Sequence, residues 1–353
     1  ALEDAVPTTN GLQQWRPMPE GPTQVRVITP GRRQTLQQRF ALGRRPDVGA
    51  LTPYGVYDAV RREPHHVVFD AGWFVLRSAG GLVPALEAWP YVAWMLRRAL
   101  VALVEREVAQ QLTPAERTRV VGLLSGHAAD GSPADTPHTA FVPMANVGWP
   151  RFATGAVLGA AVVLPRTADL DLLTDAVAAA ISRGAVLRPD ADVGDGRVLA
   201  LTLGALGEWW LTPARNDARP SQAPARYAQA ATTWTTATPL VLDRFPKQVG
   251  DVEAIVSDAC RHTGLPAPLE VRTHKHAGVS GAPAARPRQG VADGPGAWRL
   301  RWRDEAGVVV DRFRQRPLTH VTLTFPVAVR GPVLLGAGRY HGLGLCLPSG
   351  DDR

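Results

Sequence analysis

The first candidates for catalysis are two histidines and two aspartates in one polar loop. The loop reads SGHAADGSPADTPHTAFVPM, residues 125–144, and carries His127, Asp130, Asp135 and His138 before a strand-like run. Histidine is suited to proton transfer near neutral pH, and RNA supplies its own nucleophile in the 2′-hydroxyl group. We therefore predict His127 and His138 as base and acid of RNA transesterification; a loop that caps its own backbone is the alternative. The spacing matches no metal motif, so we predict neither metal nor cofactor.

A glycine-rich segment near the end of the chain could hold phosphate. Residues 331–348 read GPVLLGAGRYHGLGLCLP, and no GK[ST] or helical pattern follows, so this is neither a Walker loop nor a dinucleotide fingerprint. Backbone N–H groups of such loops bind phosphate, and an arginine adds a bidentate contact. The predicted RNA contacts are Gly336, Gly338, Arg339, Tyr340, His341, Gly342 and Gly344. A structural hairpin or bulge is the alternative.

Two further basic segments could contact RNA. In VLDRFPK, residues 241–247, Arg244 and Lys247 flank an aromatic ring at Phe245 that could stack on a base. The segment from 272 to 296 is rich in Gly, Pro and basic residues, and we predict a flexible arm that contacts RNA through Lys275 and Arg286. Solvated loops are the alternative for both.

The charge distribution also points to a polyanionic partner. The net charge is +7, and residues 1–260 carry 25 basic and 25 acidic side chains, so the surplus lies in residues 261–353. A basic region of this kind is typical of nucleic-acid binding. No apolar run approaches the ~20 residues of a membrane helix. The two cysteines, Cys260 and Cys346, form no metal or disulfide pattern, which favours a cytoplasmic protein.

Strands interleaved with a few helices must position these residues, which predicts an α+β fold with ferredoxin-like domains. Helical spacing predicts helices over 86–111, 113–124, 170–183 and 252–263. We predict strands at 24–28, 66–69, 73–76, 138–147, 156–164, 198–203, 238–242, 298–302, 308–313, 318–325 and 333–335. Three tryptophans, Trp209, Trp210 and Trp234, are predicted core residues, and His320 is predicted to be a strand residue rather than a catalyst.

Taken together, GPVLLGAGRYHGLGLCLP, TPLVLDRFPK and SGHAADGSPADTPHTAFVPM resemble the fused Cascade subunit of type I-U (I-G) CRISPR systems, the Csb-two family. The resemblance implies two RAMP parts with ferredoxin-like (RRM-like) folds. Residues 1–110 would be the remainder of a Cas-five-like part, its N-terminal portion absent, and 111–353 a Cas-six-like part. Two departures stand out. Residues 147–151 read VGWPR where relatives carry a histidine-rich loop, and a further N-terminal segment is not found.

The resemblance implies a metal-independent endoribonuclease that cuts precursor CRISPR RNA in its repeat and retains the mature guide. Its partners would be the RNA, the backbone and large subunits of Cascade and, through the complex, target DNA. A non-catalytic scaffold that caps the guide RNA is the rival, and VGWPR favours it. An unrelated small-molecule enzyme is a third possibility, which the localised charge disfavours.

Overall fold

A computed structural model describes residues 6–7, 14–17, 23–26, 32–43, 51–57, 67–214, 219–248, 250–285, 298–303, 308–313 and 316–349. The chain forms two compact units, Ala1–Glu63 and Pro64–Arg353. The protein has a mixed α+β fold with antiparallel sheets. No helix in the described ranges has the length and apolar character needed to cross a membrane.

The smaller unit holds a four-stranded sheet of order β1-β2-β4-β3 and one helix. Its elements are β1 (Val6–Pro7), β2 (Gln14–Pro17), β3 (Thr23–Arg26), α1 (Arg32–Ala41) and β4 (Leu51–Tyr57). The sequence predicted only the strand that corresponds to β3. The polar composition of α1 provides no apolar stripe from which a helix could be predicted.

The larger unit begins with a six-stranded antiparallel sheet of order β6-β7-β5-β10-β9-β8. Its elements are β5 (Phe69–Gly81), α2 (Trp89–Leu103), α3 (Pro114–Ser125), β6 (Ala140–Ala145), β7 (Val157–Pro165), α4 (Leu170–Arg183), β8 (Val186–Leu187), β9 (Arg197–Thr202) and β10 (Glu208–Pro213). A π-helical turn, Val104–Val108, prolongs α2. Thr113 and Glu116 form a capping box at the start of α3.

A second sheet follows in the same unit. Its elements are β11 (Ala230–Thr236), β12 (Leu240–Val241), α5 (Asp251–His262), β13 (Glu270–His274), β16 (Leu318–Arg330) and β17 (Cys346–Pro348). The long strand β16 pairs with β11, β12 and β13, and β11 also pairs with β17. A separate two-stranded ribbon, β14 (Arg301–Arg303) and β15 (Val309–Asp311), precedes β16.

Each of the two large sheets contains four strands that lie side by side in the same order relative to their order along the chain. In the first sheet, the strands that come second, third, first and fourth along the chain lie side by side as β6-β7-β5-β10. In the second sheet, the pairings place β13, β16, β11 and β17 in the same arrangement. Helices cross over in the first sheet at both connections, whereas the glycine-rich segment makes the last connection of the second. This order brings the glycine-rich segment to the end of β16.

The predicted helices in the larger unit are confirmed, and several strand predictions need correction. The run 73–76 and Phe69, the last residue of the run 66–69, belong to one strand, β5; residue 66 lies outside the described residues. The predicted flexible arm begins with β13, because β16 offers it a full ladder of backbone partners. Residues 333–335 form only a single bridge from Leu334 to Leu345. Trp210 is half-buried, since it and the buried Trp209 are neighbours on a strand and point to opposite faces.

The predicted domain boundary near residue 110 lies inside the larger unit. It falls between α2 and α3, which contribute Leu96, Leu100 and Leu124 to one hydrophobic core with β6 and β7. The compact division of the chain is therefore after Glu63.

Candidate functional site

The glycine-rich loop, residues 331–345, is packed tightly against the protein. Gly336 and Gly344 have φ values of +79° and +69°. A Cβ atom on Gly336 would lie 2.3 Å from Val241 O, and one on Gly344 would lie 2.1 Å from Leu335 O. The N–H groups of Ala337 and Gly344 donate to carbonyl oxygens of β12 and of Pro239, at 3.0 and 2.9 Å. These glycines therefore let backbone approach backbone.

Most amides of this loop are already hydrogen-bonded inside the protein. The N–H groups that donate to protein carbonyl oxygens include those of Ala337, Arg339, His341, Gly342, Leu343 and Gly344. The loop therefore offers a ligand the side chains of Arg339, Tyr340 and His341 and only some of the backbone N–H groups that the sequence predicts as phosphate contacts.

Gly342 joins the loop to the first sheet. The indole of Trp89, at the start of α2, donates to Phe141 O of β6 at 2.9 Å. A Cβ atom on Gly342 would lie 2.4 Å from that indole nitrogen and 2.6 Å from that oxygen. The Thr238 hydroxyl donates to Gly342 O at 2.8 Å and accepts from Leu345 N at 3.0 Å. The position of the 339–341 side chains is thus determined by both sheets.

Three arginines, two histidines and a tyrosine come together at this junction, and we call them the cationic cluster. Its members are Arg97 of α2, His138 before β6, Arg312 after β15, and Arg339, Tyr340 and His341 of the loop. The His138 and Tyr340 rings stack with centres 3.4 Å apart, and the Arg339 guanidinium lies 4.6 Å from the Tyr340 ring centre.

The charges within the cationic cluster are not balanced by acidic groups among the described residues. The charged groups that lower the pKa of Arg97 are Arg312 and Arg98, and those that lower the pKa of His138 are Arg97, Arg339 and Arg312. Burial and these neighbouring arginines lower the pKa of Arg97 to about 10. Desolvated cations without a counter-charge are unfavourable, so an anion that binds among them is stabilised.

Both histidines of the cationic cluster are neutral when no anion is bound. Burial, followed by Arg97, Arg339 and Arg312, lowers the pKa of His138 to about 3. Burial, followed by Arg97, Arg312 and His138, lowers the pKa of His341 well below its ordinary value. A neutral imidazole can accept a proton, and a bound phosphate would raise both pKa values by opposing the arginines.

His127, the other predicted catalytic histidine, lies in different surroundings. Its Nδ1 atom is 3.0 Å from Ser125 O. The ring lines a cavity of about 700 Å³ between the end of α2, α3 and the 126–131 loop, together with the ion-paired Glu105 and Arg117. The structure therefore brings His138, but not His127, into the cationic cluster.

The remaining predicted RNA contacts are dispersed over the second sheet. Arg244 pairs with Asp258 of α5 at 2.8 Å, and the Lys247 N–H donates to the Asp251 carboxylate at 2.7 Å. Phe245 between them is 66% exposed, as a stacking platform requires. Lys275 is exposed directly after β13. Arg286 lies outside the described residues.

No pattern in the sequence predicts two members of the cationic cluster, Arg97 and Arg312. Arg97 is one of an Arg-Arg pair within a helix, and nothing in the sequence distinguishes it from the exposed Arg98. Arg312 follows a short strand in the region of surplus positive charge, which is the one indication that could have pointed to it.

The fold is α+β with two large antiparallel sheets, and the cationic cluster lies at the junction of these sheets. Residues 3–348 match the family model described as "CRISPR-associated protein, GSU0054 family", and the chain belongs to that family. A solved structure described as "CRISPR associated protein Cas6" is similar over 79% of this chain and 98% of its own, with 8% identity and a TM-score of 0.34. No curated protein matches the chain.

Proposed function

We propose that this CRISPR-associated protein binds precursor CRISPR RNA at the cationic cluster, cleaves it in the repeat and retains the mature guide. The observation that carries the proposal is the cationic cluster itself, where three guanidinium groups converge with no acidic group acting on Arg97, His138 or His341 among the described residues. Arginine binds phosphate through paired, charge-assisted hydrogen bonds.

The proposed cleavage is a transesterification within the RNA. His138 removes the proton from a 2′-hydroxyl group, and the resulting oxygen attacks the adjacent phosphorus in line with the departing 5′-oxygen. Arg97, Arg312 and Arg339 hold the phosphate and stabilise the negative charge that develops on it. Side chains perform both proton transfers, so the proposed reaction needs no metal ion.

The proposal includes the place of the chain in a larger assembly. Its partners are the RNA, the backbone and large subunits of Cascade and, through the complex, target DNA, as expected of a type I-U subunit of the Csb-two family. The repeated strand order supports ferredoxin-like domains of the RAMP kind. We assign residues 1–110 to a Cas-five-like remainder and 111–353 to a Cas-six-like part, although the compact units divide after Glu63.

A cleavage assay on labelled repeat RNA in EDTA tests this function. We expect one cut that leaves a 2′,3′-cyclic phosphate. His138→Ala should slow the cut by about 10²–10⁴-fold with binding retained, because general base catalysis contributes roughly that factor. The same assay of His127→Ala tests the other predicted histidine. Full cleavage by both variants contradicts the proposed mechanism.

Binding measurements on an arginine variant test the phosphate site separately. Arg97→Ala should weaken RNA binding about 10-fold or more, since a charge-assisted hydrogen bond contributes roughly 1.5–3 kcal/mol. It should also reduce the salt dependence of binding. Arg119→Ala is the matched control, because Arg119 pairs with Asp169 on the surface of α3, and it should bind like the wild type. Equal loss in both variants argues against a specific site.

One observation favours the scaffold as a second candidate function. The His138 pKa of about 3 lies far below the range of an efficient base, and the ring is held in a stack with Tyr340. Tight, salt-sensitive binding by the wild type without any cut would assign this role.

A further inference from the structure

His341 is a buried histidine whose ring has no hydrogen-bond partner. It is 4% exposed, and both of its ring nitrogens are buried and unpaired. The buried His320 provides the contrast, because its Nδ1 is 3.0 Å from the Thr236 hydroxyl and its Nε2 is 3.0 Å from Pro283 O. Buried polar groups in native proteins are normally paired, so unpaired nitrogens call for an explanation such as a ligand or a catalytic role.

The ring of His341 is nevertheless held in a defined position. Its backbone N–H donates to Gly338 O at 2.9 Å, and the next residue, Gly342, packs against Trp89 and Phe141. The edge of the Phe313 ring meets the imidazole with centres 5.9 Å apart. These contacts hold an unpaired imidazole in place at the cationic cluster.

The surroundings of His341 are those of a phosphate site. The charged groups that act on it are Arg97, Arg312 and His138, of which the two arginines also act on His138. His138 in turn stacks on Tyr340, the residue before His341. Two histidines from different elements therefore interact electrostatically with the same two arginines, so a phosphate bound by these arginines would lie near both rings.

We propose that His341 is the second catalytic residue of the proposed cleavage, the acid that protonates the departing 5′-oxygen. The inference rests on the proposed function and names the group that the mechanism requires opposite His138. His138 takes the 2′-hydroxyl proton, the 2′-oxygen–phosphorus bond forms, the phosphorus–5′-oxygen bond breaks, and His341 gives its proton to the 5′-oxygen. The products are a 2′,3′-cyclic phosphate and a 5′-hydroxyl group, and exchange with water restores both rings.

The bound RNA itself supplies the conditions under which His341 holds a proton. In the empty site the arginines and burial keep this ring neutral. The negative charge of the phosphate opposes the arginines and raises the pKa of the ring. The β14–β15 ribbon, which directly precedes Arg312 and Phe313, pairs with no strand of the two large sheets among the described residues.

A sulfur substitution in the RNA distinguishes an acid from a base or a structural residue. A 5′-bridging phosphorothiolate at the cut site leaves as a thiolate, which needs no proton. We expect His341→Ala to cut ordinary RNA about 10²–10⁴-fold more slowly than the wild type and to cut the phosphorothiolate at nearly the wild-type rate. His138→Ala is the matched variant and should be slow on both RNAs.

A measurement on the wild type covers the case in which His341→Ala does not fold. The rate on ordinary RNA should fall at high pH as the acid loses its proton, and this fall should be absent with the phosphorothiolate. His341→Ala at wild-type rate on ordinary RNA, no sulfur rescue in folded His341→Ala, or identical pH profiles would overturn the assignment. In each of these cases the wild type still cleaves, so only the role of His341 is rejected. If the wild type cleaves neither RNA, the proposed cleavage function is rejected as well.

Discussion

At the residue scale, the cationic cluster contains arginines that no acidic group among the described residues pairs with. Arg97 is half-buried, and its guanidinium donates to Ser125 O at 2.9 Å. Arg188 and Arg299, which are also partly buried, pair with Glu208 and Asp311, whereas the partly buried Arg226 donates to Val147 O and has no acidic partner among the described residues. Leaving partly buried cations unpaired lowers stability, and the phosphate of the proposed function would offset this cost at the cationic cluster.

The low pKa of His138 predicts how stability depends on pH. The ring titrates near 6.5 when unfolded and near 3 when folded, so between these values the unfolded chain binds more protons. Stability should therefore fall as the pH falls from about 6.5 towards 3. Urea unfolding at pH 7, 6 and 5 should show a smaller decline for His138→Gln than for the wild type. Parallel declines would show that burial and the neighbouring Arg97, Arg339 and Arg312 do not lower the pKa of His138 as described.

At the element scale, the glycine-rich loop takes the place of a helix in the second sheet and connects that sheet to the first. The loop follows β16, contacts Trp89 and Phe141 through Gly342, and returns to β17. Its glycines permit close backbone approach, and its three consecutive side chains at 339–341 form half of the cationic cluster. A change in loop packing should therefore affect stability and RNA binding together.

Two glycine variants test this role of the loop. Gly342→Ala places a Cβ against Trp89 and Phe141, whereas Gly131→Ala has a similar positive φ and no atom within 4 Å. Gly131→Ala should cost about 1 kcal/mol through backbone strain alone. Gly342→Ala should cost about 1–3 kcal/mol more through overpacking and should also weaken RNA binding. Urea denaturation and RNA titration measure both effects; equal losses for the two variants would contradict tight packing at Gly342.

At the scale of the whole molecule, both large sheets and every member of the cationic cluster belong to the unit Pro64–Arg353. The surplus of positive charge lies in residues 261–353, but the arginine from α2 comes from the electrically neutral part of the chain. The region of surplus positive charge therefore contains only part of the cationic cluster.

The division into units predicts the behaviour of a fragment. Residues 64–353 contain the full set of elements that build the two large sheets, so the fragment should fold by itself and unfold cooperatively. It should bind repeat RNA, and Arg97→Ala should weaken this binding as it does in the full chain. Circular dichroism with urea and an RNA titration at two salt concentrations measure this. A fragment that unfolds without a transition would show that residues 1–63 are needed for folding.

The sequence alone determined the features of this protein that depend on local pattern. Apolar residues at helical spacing located α2, α4 and α5, Thr113 and Pro114 located the start of α3, and the glycine-rich loop identified one side of the site. These features arise from interactions between residues a few positions apart, and such interactions can be read along the chain.

Only the tertiary structure decided which residues form the site. Arg97 and Arg312 look like ordinary surface arginines in sequence, and His127 and His138 look equivalent. Strand order places Arg97, His138, Arg312 and the loop together, and it leaves His127 in a separate cavity. The burial of these side chains and their shared arginine neighbours arise from packing between segments far apart in the chain. The low pKa of His138 and the unpaired ring of His341 depend on that packing, so no local pattern could predict them.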